Sequence, residues 1–159
     1  MRHAPLLPML LGLIVHSSMA TPAKADDATS VRYISAAQID QAISRPTHNG
    51  AIATQLSADS GTPIWAIRKD TAGEVELHKT WNDVIIARDG GITILVGKVE
   101  GNREIKPNEW LGGTIVGGTS FTLKPGDMLL IPAGLGHRLM PVDGKPFSYL
   151  VIKTSAHTP

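Results

Sequence analysis

The 159-residue chain contains no cysteine. Disulfides are therefore excluded as a source of stability, and the mature domain has to be held by its own core. A lipoprotein anchor, which needs a cysteine, is excluded with them. Neither sign of charge is in excess, since 15 basic and 14 acidic residues give a formal net charge of +1. Such a balance provides no field for nucleic acid or for an anionic surface, and neither is expected as a partner. Long hydrophobic runs are scarce as well. After Val15 no segment approaches the ~20 apolar residues needed to span a bilayer.

The chain is long enough, and at 42% hydrophobic residues apolar enough, for one domain with a real core. It begins with Met1-Arg2-His3 and the apolar run Ala4 to Val15, the charged and hydrophobic regions of a secretory signal peptide. Pro5, Pro8 and Gly12 interrupt that run, which is too short for a membrane anchor. Small residues at Ser18 and Ala20, and again at Ala23 and Ala25, permit cleavage after 20 or after 25. Residues 1–25 are thus expected to be a signal, and the protein to be exported, periplasmic or secreted, with no membrane insertion after processing. Cutting after Ala25 removes Arg2 and Lys24 and leaves 13 basic against 14 acidic residues, so the small basic bias disappears.

Residues 26–49 read as a polar leader followed by one short helix. Ser35 is a suitable N-cap, Ala36, Ile39, Ala42 and Ile43 recur at helical spacing, and Pro46 stops the pattern. From residue 50 to residue 154 the signals are those of strands. Runs such as Ile64 to Ile67, Val84 to Ala87, Ile92 to Val96, Phe121 to Leu123 and Phe147 to Ile152 are separated by Gly, Pro, Asp and Asn at short intervals. Many short strands with frequent turns predict an all-β sandwich or closed barrel.

The run Gly126-Asp127-Met128-Leu129-Leu130-Ile131-Pro132-Ala133-Gly134-Leu135-Gly136-His137 places a histidine just after a strand and a Pro/Gly turn. Its pattern, Gly-x5-Pro-x-Gly-x2-His, resembles the second signature motif of the cupin superfamily, with Pro141 where an asparagine is common. Upstream, Glu76-Leu77-His78-Lys79-Thr80-Trp81-Asn82-Asp83 is followed by Gly90, seven positions after Asp83. This resembles the first cupin motif in the register set by that glycine. Asp83 then takes the family's carboxylate position, His78 the second histidine position and Glu76 the first. The resemblance covers roughly residues 61 to 153. It implies a cupin-type jelly roll, a double-stranded β-helix barrel, on which oxygenase, isomerase and lyase chemistries all occur.

Side chains alternate along a strand, so Glu76 and His78 share a face. If that face is the interior, Asp83 and His137 can meet them. Two neutral imidazoles and a carboxylate suit a divalent transition metal, iron, zinc, manganese or nickel, with Glu76 as a fourth ligand or a free base. Burying these ionisable groups without a cation would cost the carboxylates their hydration. His78, Asp83, His137 and Glu76 are therefore the candidate ligands, and Glu76 the candidate catalytic group. Parity places Ile85 and Leu139 on the interior and Arg138 on the opposite face, while Trp81 sits in the turn between His78 and Asp83, at the mouth of the site. His3, His16, His48 and His157 fall in the signal, a turn and a polar tail, and are not expected as ligands.

Two functions remain open: a metal-dependent enzyme acting on a small organic molecule, and a metal-independent small-molecule binding or sensing module. Residues 97–118, with Trp110 and the pairs Gly112-Gly113 and Gly117-Gly118, read as a long hairpin with an irregular tip or as a lid carrying Trp110. A homodimer is expected, because a bare edge strand is a liability.

Overall fold

The computed structural model describes residues 31–58 and 61–156. The expected signal of residues 1–25, with His3 and His16, and the tail residue His157 lie outside the described residues. One helix, α1 (Ala36–Ile43), precedes eleven strands. Its start is a capping box: the Ser35 hydroxyl accepts from the Gln38 backbone N–H, and the Gln38 side chain accepts from the Ser35 backbone N–H. The His48–Gly50 turn, with Asn49 and Gly50 both at positive φ, then delivers the chain into the sheets.

The strands are β1 (Ala51–Ser57), β2 (Ile64–Lys69), β3 (Glu76–His78), β4 (Trp81–Asp89), β5 (Ile92–Glu100), β6 (Arg103–Lys106), β7 (Glu109–Leu111), β8 (Thr114–Leu123), β9 (Met128–Ile131), β10 (Gly136–Pro141) and β11 (Phe147–Ser155). They form two antiparallel sheets, ordered β1-β2-β11-β4-β9 and β6-β7-β3-β10-β5-β8. Neighbours far apart in sequence, such as β3 with β10 and β4 with β11, close the jelly roll.

Alternation decides what faces inward. On β4, Asp83, Ile85 and Ala87 are buried while Val84 and Ile86 are only half-buried; on β11, Phe147, Tyr149 and Val151 are buried. With Ile92 and Ile94 of β5, Leu123, Ile131 and Leu139 they form one continuous core. Each large aliphatic or aromatic side chain so buried contributes roughly 1.5 to 3 kcal/mol. Gly90 sits at φ 71°, where a Cβ would run into the Pro146 carbonyl and Phe147, so the glycine lets the β4–β5 turn lie against β11.

Residues 97–118 are not a single hairpin with an irregular tip. Glu100 and Thr114 close the β5–β8 ladder, and the chain between them folds into a second hairpin, β6–β7, whose β7 pairs with β3. The lid reading is corrected as well. Trp110 pairs with Leu77, on the sheet face opposite His78, and lies under the Lys79 ammonium, 4.7 Å from its ring centroid.

Candidate metal centre

Cross-strand register assembles the site. His137 on β10 is directly opposite Glu76 on β3, His78 on β3 is opposite Glu109 on β7, and Asp83 on β4 is opposite Lys153 on β11. Directly opposed residues of an antiparallel pair share a face, with Cβ atoms about 5 Å apart. The first two pairs belong to one sheet and the third to the other, so the two sheets bring them together across the barrel. Gly136 precedes His137 because a Cβ there would collide with Val99, which would push β10 away from β5.

Ligand atoms of Glu76, His78 and His137 lie within 4.8 Å of one another. The two imidazole centroids are 5.5 Å apart. Asp83 Oδ2 lies 3.3 Å from His78 Nε2 and 3.5 Å from His137 Nε2, and Glu76 Oε2 lies 3.8 Å from His78 Nε2. His78, Asp83 and His137 are all buried, at 7%, 3% and 2% exposure. The structure thus brings Glu76, His78 and His137 into one group of mutually close ligand atoms, with Asp83 beside the two imidazoles. Trp81 borders a recess with His78, Asp83 and His137, while Ile85 and Leu139 line the cavity on the other side. Arg138 points away from the site and donates from Nε to the Gly73 carbonyl oxygen.

Three residues of the site escaped the sequence reading: Glu109, Lys153 and Lys69. The Glu109 carboxylate receives His78 Nδ1. Because an ionised carboxylate can only accept, Nδ1 carries a proton, and when the ring is neutral Nε2 presents a lone pair to the centre. In that neutral form the buried Nε2 has no donor to meet, for it faces the acceptor oxygens of Asp83 and Glu76; in the protonated ring it donates to Asp83. Acceptors converging on one point require a second proton on His78 or a cation. Lys153 Nζ donates to Asp83 Oδ1 at 2.7 Å, and Lys69 Nζ to Glu76 Oε1 at 3.4 Å.

The protonation balance reflects this crowding. Burial opposes ionisation of Asp83, but contact with His78 and the Lys153 charge outweigh it and hold the carboxyl below its usual value. Glu76 is held low in the same way, against burial, by Lys69 and the two imidazoles. Burial also opposes charge on His78, yet contact with Asp83 and the negative charges of Asp83 and Glu109 raise its pKa. In His137 burial prevails over Glu76 and Asp83, and the pKa falls. Burial, then the same two carboxylates, push the Tyr149 phenol well above its usual value.

The donor set fits a divalent ion. The partnerless His78 Nε2 is aimed at the centre by a carboxylate behind the ring, which is how metal-bound histidines are ordinarily oriented.

No protein-family model matches the sequence, and neither does any curated protein. Solved structures do match. A protein from Thermus thermophilus, TT1209, is similar with a TM-score of 0.54 at 16% identity, over 72% of this chain and 92% of that one. Hydroquinone 1,2-dioxygenase from Sphingomonas sp. TTNP3, with 4-hydroxybenzoate bound, is similar with a TM-score of 0.54 at 16% identity, over 76% and 73%. A recombinant oxalate oxidase in complex with glycolate gives a TM-score of 0.52 at 13% identity, over 82% and 61%. The fold is a cupin-type jelly roll. At these identities the likeness is one of fold, and the chemistry of this cupin-type domain has to be argued from its own residues.

Proposed function

We propose that the chain is an exported cupin-type enzyme that holds one divalent transition metal with His78, His137 and at least one of Glu76 and Asp83 and acts on a small organic molecule. The observation that carries this reading is His78, whose Nδ1 is taken by Glu109 while its buried Nε2 faces two carboxylates without a donor between them. When bound, the ion supplies a Lewis acid for a substrate oxygen. Glu109 keeps the His78 ring in register. Glu76 lines the cavity with one oxygen tethered by Lys69; where Asp83 and the two imidazoles complete the ligand set, its other oxygen is free to move a proton to or from bound substrate. Trp65, Ile85, Leu139 and Val151 exclude water around the apolar part of the ligand.

Elemental analysis of protein purified without chelator is expected to show close to one equivalent of metal, and His137→Ala to lose it while the barrel still melts cooperatively. Wild-type protein that takes up no added transition metal would overturn the reading. A second reading, a metal-independent binding module, draws on one feature: Lys153 already compensates Asp83 inside the barrel. Ligand stabilisation that is indifferent to metal would favour it.

Export rests on the N-terminal sequence pattern and is tested by mass spectrometry of the mature N-terminus in fractionated cells. A homodimer is supported by β9, the last strand of its sheet, where Met128 and Leu130 are 63% and 59% exposed beside Ile86 and Val84. Sedimentation of wild type against Leu130→Lys tests it, with a monomeric wild type as the contrary result.

A further inference from the structure

The cavity beside the four candidate ligands has a volume of about 130 Å³ and is walled largely by Trp65, Ile67, Leu139 and Val151. That is below the roughly 300 Å³ at the lower end of drug-sized pockets, so its ligand has few heavy atoms. One wall is different. Lys153 extends β11 in the inward parity of Tyr149 and Val151, its side chain is 17% exposed, and its ammonium reaches the cavity. It offers three N–H donors. Asp83 Oδ1 accepts one, which leaves donors for a ligand. Asp83 Oδ2 faces both imidazoles, so Lys153 Nζ stands one carboxylate away from the point where the acceptors converge.

Charge decides what those donors are for. Around the centre Glu76 is paired with Lys69, Asp83 with Lys153 and Glu109 with the His78 ring, so three carboxylates against two ammonium groups leave one net negative charge. In a loaded site both imidazoles are neutral, because their lone pairs are engaged. A divalent cation then turns the balance to one net positive charge beside buried ligands and a largely apolar wall. An uncompensated charge is costly there, and a ligand bearing one negative charge removes it.

We propose that the cavity takes a small organic monoanion, its carboxylate or equivalent oxyanion held by Lys153 beside the metal and its apolar body packed against Trp65 and Leu139. This rests on the metal-loaded reading above. It assigns Lys153 as the residue that distinguishes an anionic ligand from a neutral one of the same shape.

Isobutyrate and isobutyramide, isosteres that differ by one charge, test it by calorimetric titration into zinc-loaded protein of measured metal content. Isobutyrate is expected to bind at least about tenfold more tightly, in line with a hydrogen bond to a charged group. Lys153→Met is expected to abolish that preference, and Lys153→Arg, which keeps the charge, to retain it. The wild-type comparison stands even if Lys153→Met does not fold. Failure of the wild type to load zinc would overturn the underlying reading. Normal loading with equal binding of the two isosteres, or a preference that persists in Lys153→Met, would overturn this inference alone.

Discussion

Glu109→Ala isolates the group that orients the centre without being a candidate ligand. Its carboxylate accepts from His78 Nδ1, and its side chain is 16% exposed, so water does not readily take its place. Removing it leaves a buried N–H without an acceptor and frees the imidazole to rotate or to exchange its tautomer, which turns the Nε2 lone pair away from Asp83 and Glu76. Loss of such an outer partner typically weakens metal binding by 10- to 100-fold. That corresponds to about 1.4 to 2.7 kcal/mol. Glu109→Gln is expected to lose less, because an amide oxygen still accepts the proton but without charge assistance. Competition for zinc against a chromophoric chelator measures both variants. The order wild type, then Glu109→Gln, then Glu109→Ala is the expected ranking of affinity. An alanine variant within about twofold of wild type would refute the reasoning, since an outer carboxylate of this kind would then have no hold on the ligand.

Other outcomes follow from the same geometry. Asp83 and Glu76 are both held below their usual pKa, so in metal-free protein they contribute stability that is present above the unfolded carboxylate values and is lost as pH falls through the folded ones. Urea unfolding at pH 7 and in stepwise more acidic buffer should show that loss, and Asp83→Asn should show less of it; an equal acid loss in both would count against the assignment. Ile94→Ala, at a fully buried core position, is expected to destabilise the barrel by about 2 to 5 kcal/mol. A urea midpoint unchanged from wild type would contradict the core described above. Gly136→Ala is expected to weaken zinc binding as well as the fold, because the added methyl meets Val99 and moves the strand that carries His137.

Much of the architecture was legible because each signal was local. The Ser35 cap, the alternation on β4 and the glycine and proline turns are short-range patterns whose physical meaning survives folding. The directions of the candidate ligands were legible for a related reason, since strand parity puts Glu76 with His78 and motif spacing puts Asp83 and His137 at strand positions of defined direction. Glu109 was not legible. It meets His78 through the pairing of β3 with β7, and no local pattern sets the register between strands about thirty residues apart. The second hairpin within residues 97–118 was not legible, because glycine pairs mark turns without saying which strand a turn serves, and the same pairs suit a hairpin tip or a lid. Lys153 could have been found, as it shares the parity of Phe147, Tyr149 and Val151, but a lysine near a strand end ordinarily reads as solvated.

The central claim is that acceptors from distant strands converge on a cation. Anomalous scattering from crystals soaked in zinc tests it most directly. The expected result is a peak about 2.0 to 2.2 Å from a ring nitrogen of both His78 and His137, with Glu76 or Asp83 oxygen at similar range. An empty centre in the soaked crystal, with His78 Nε2 instead bonded to a carboxylate through a proton, would contradict the account.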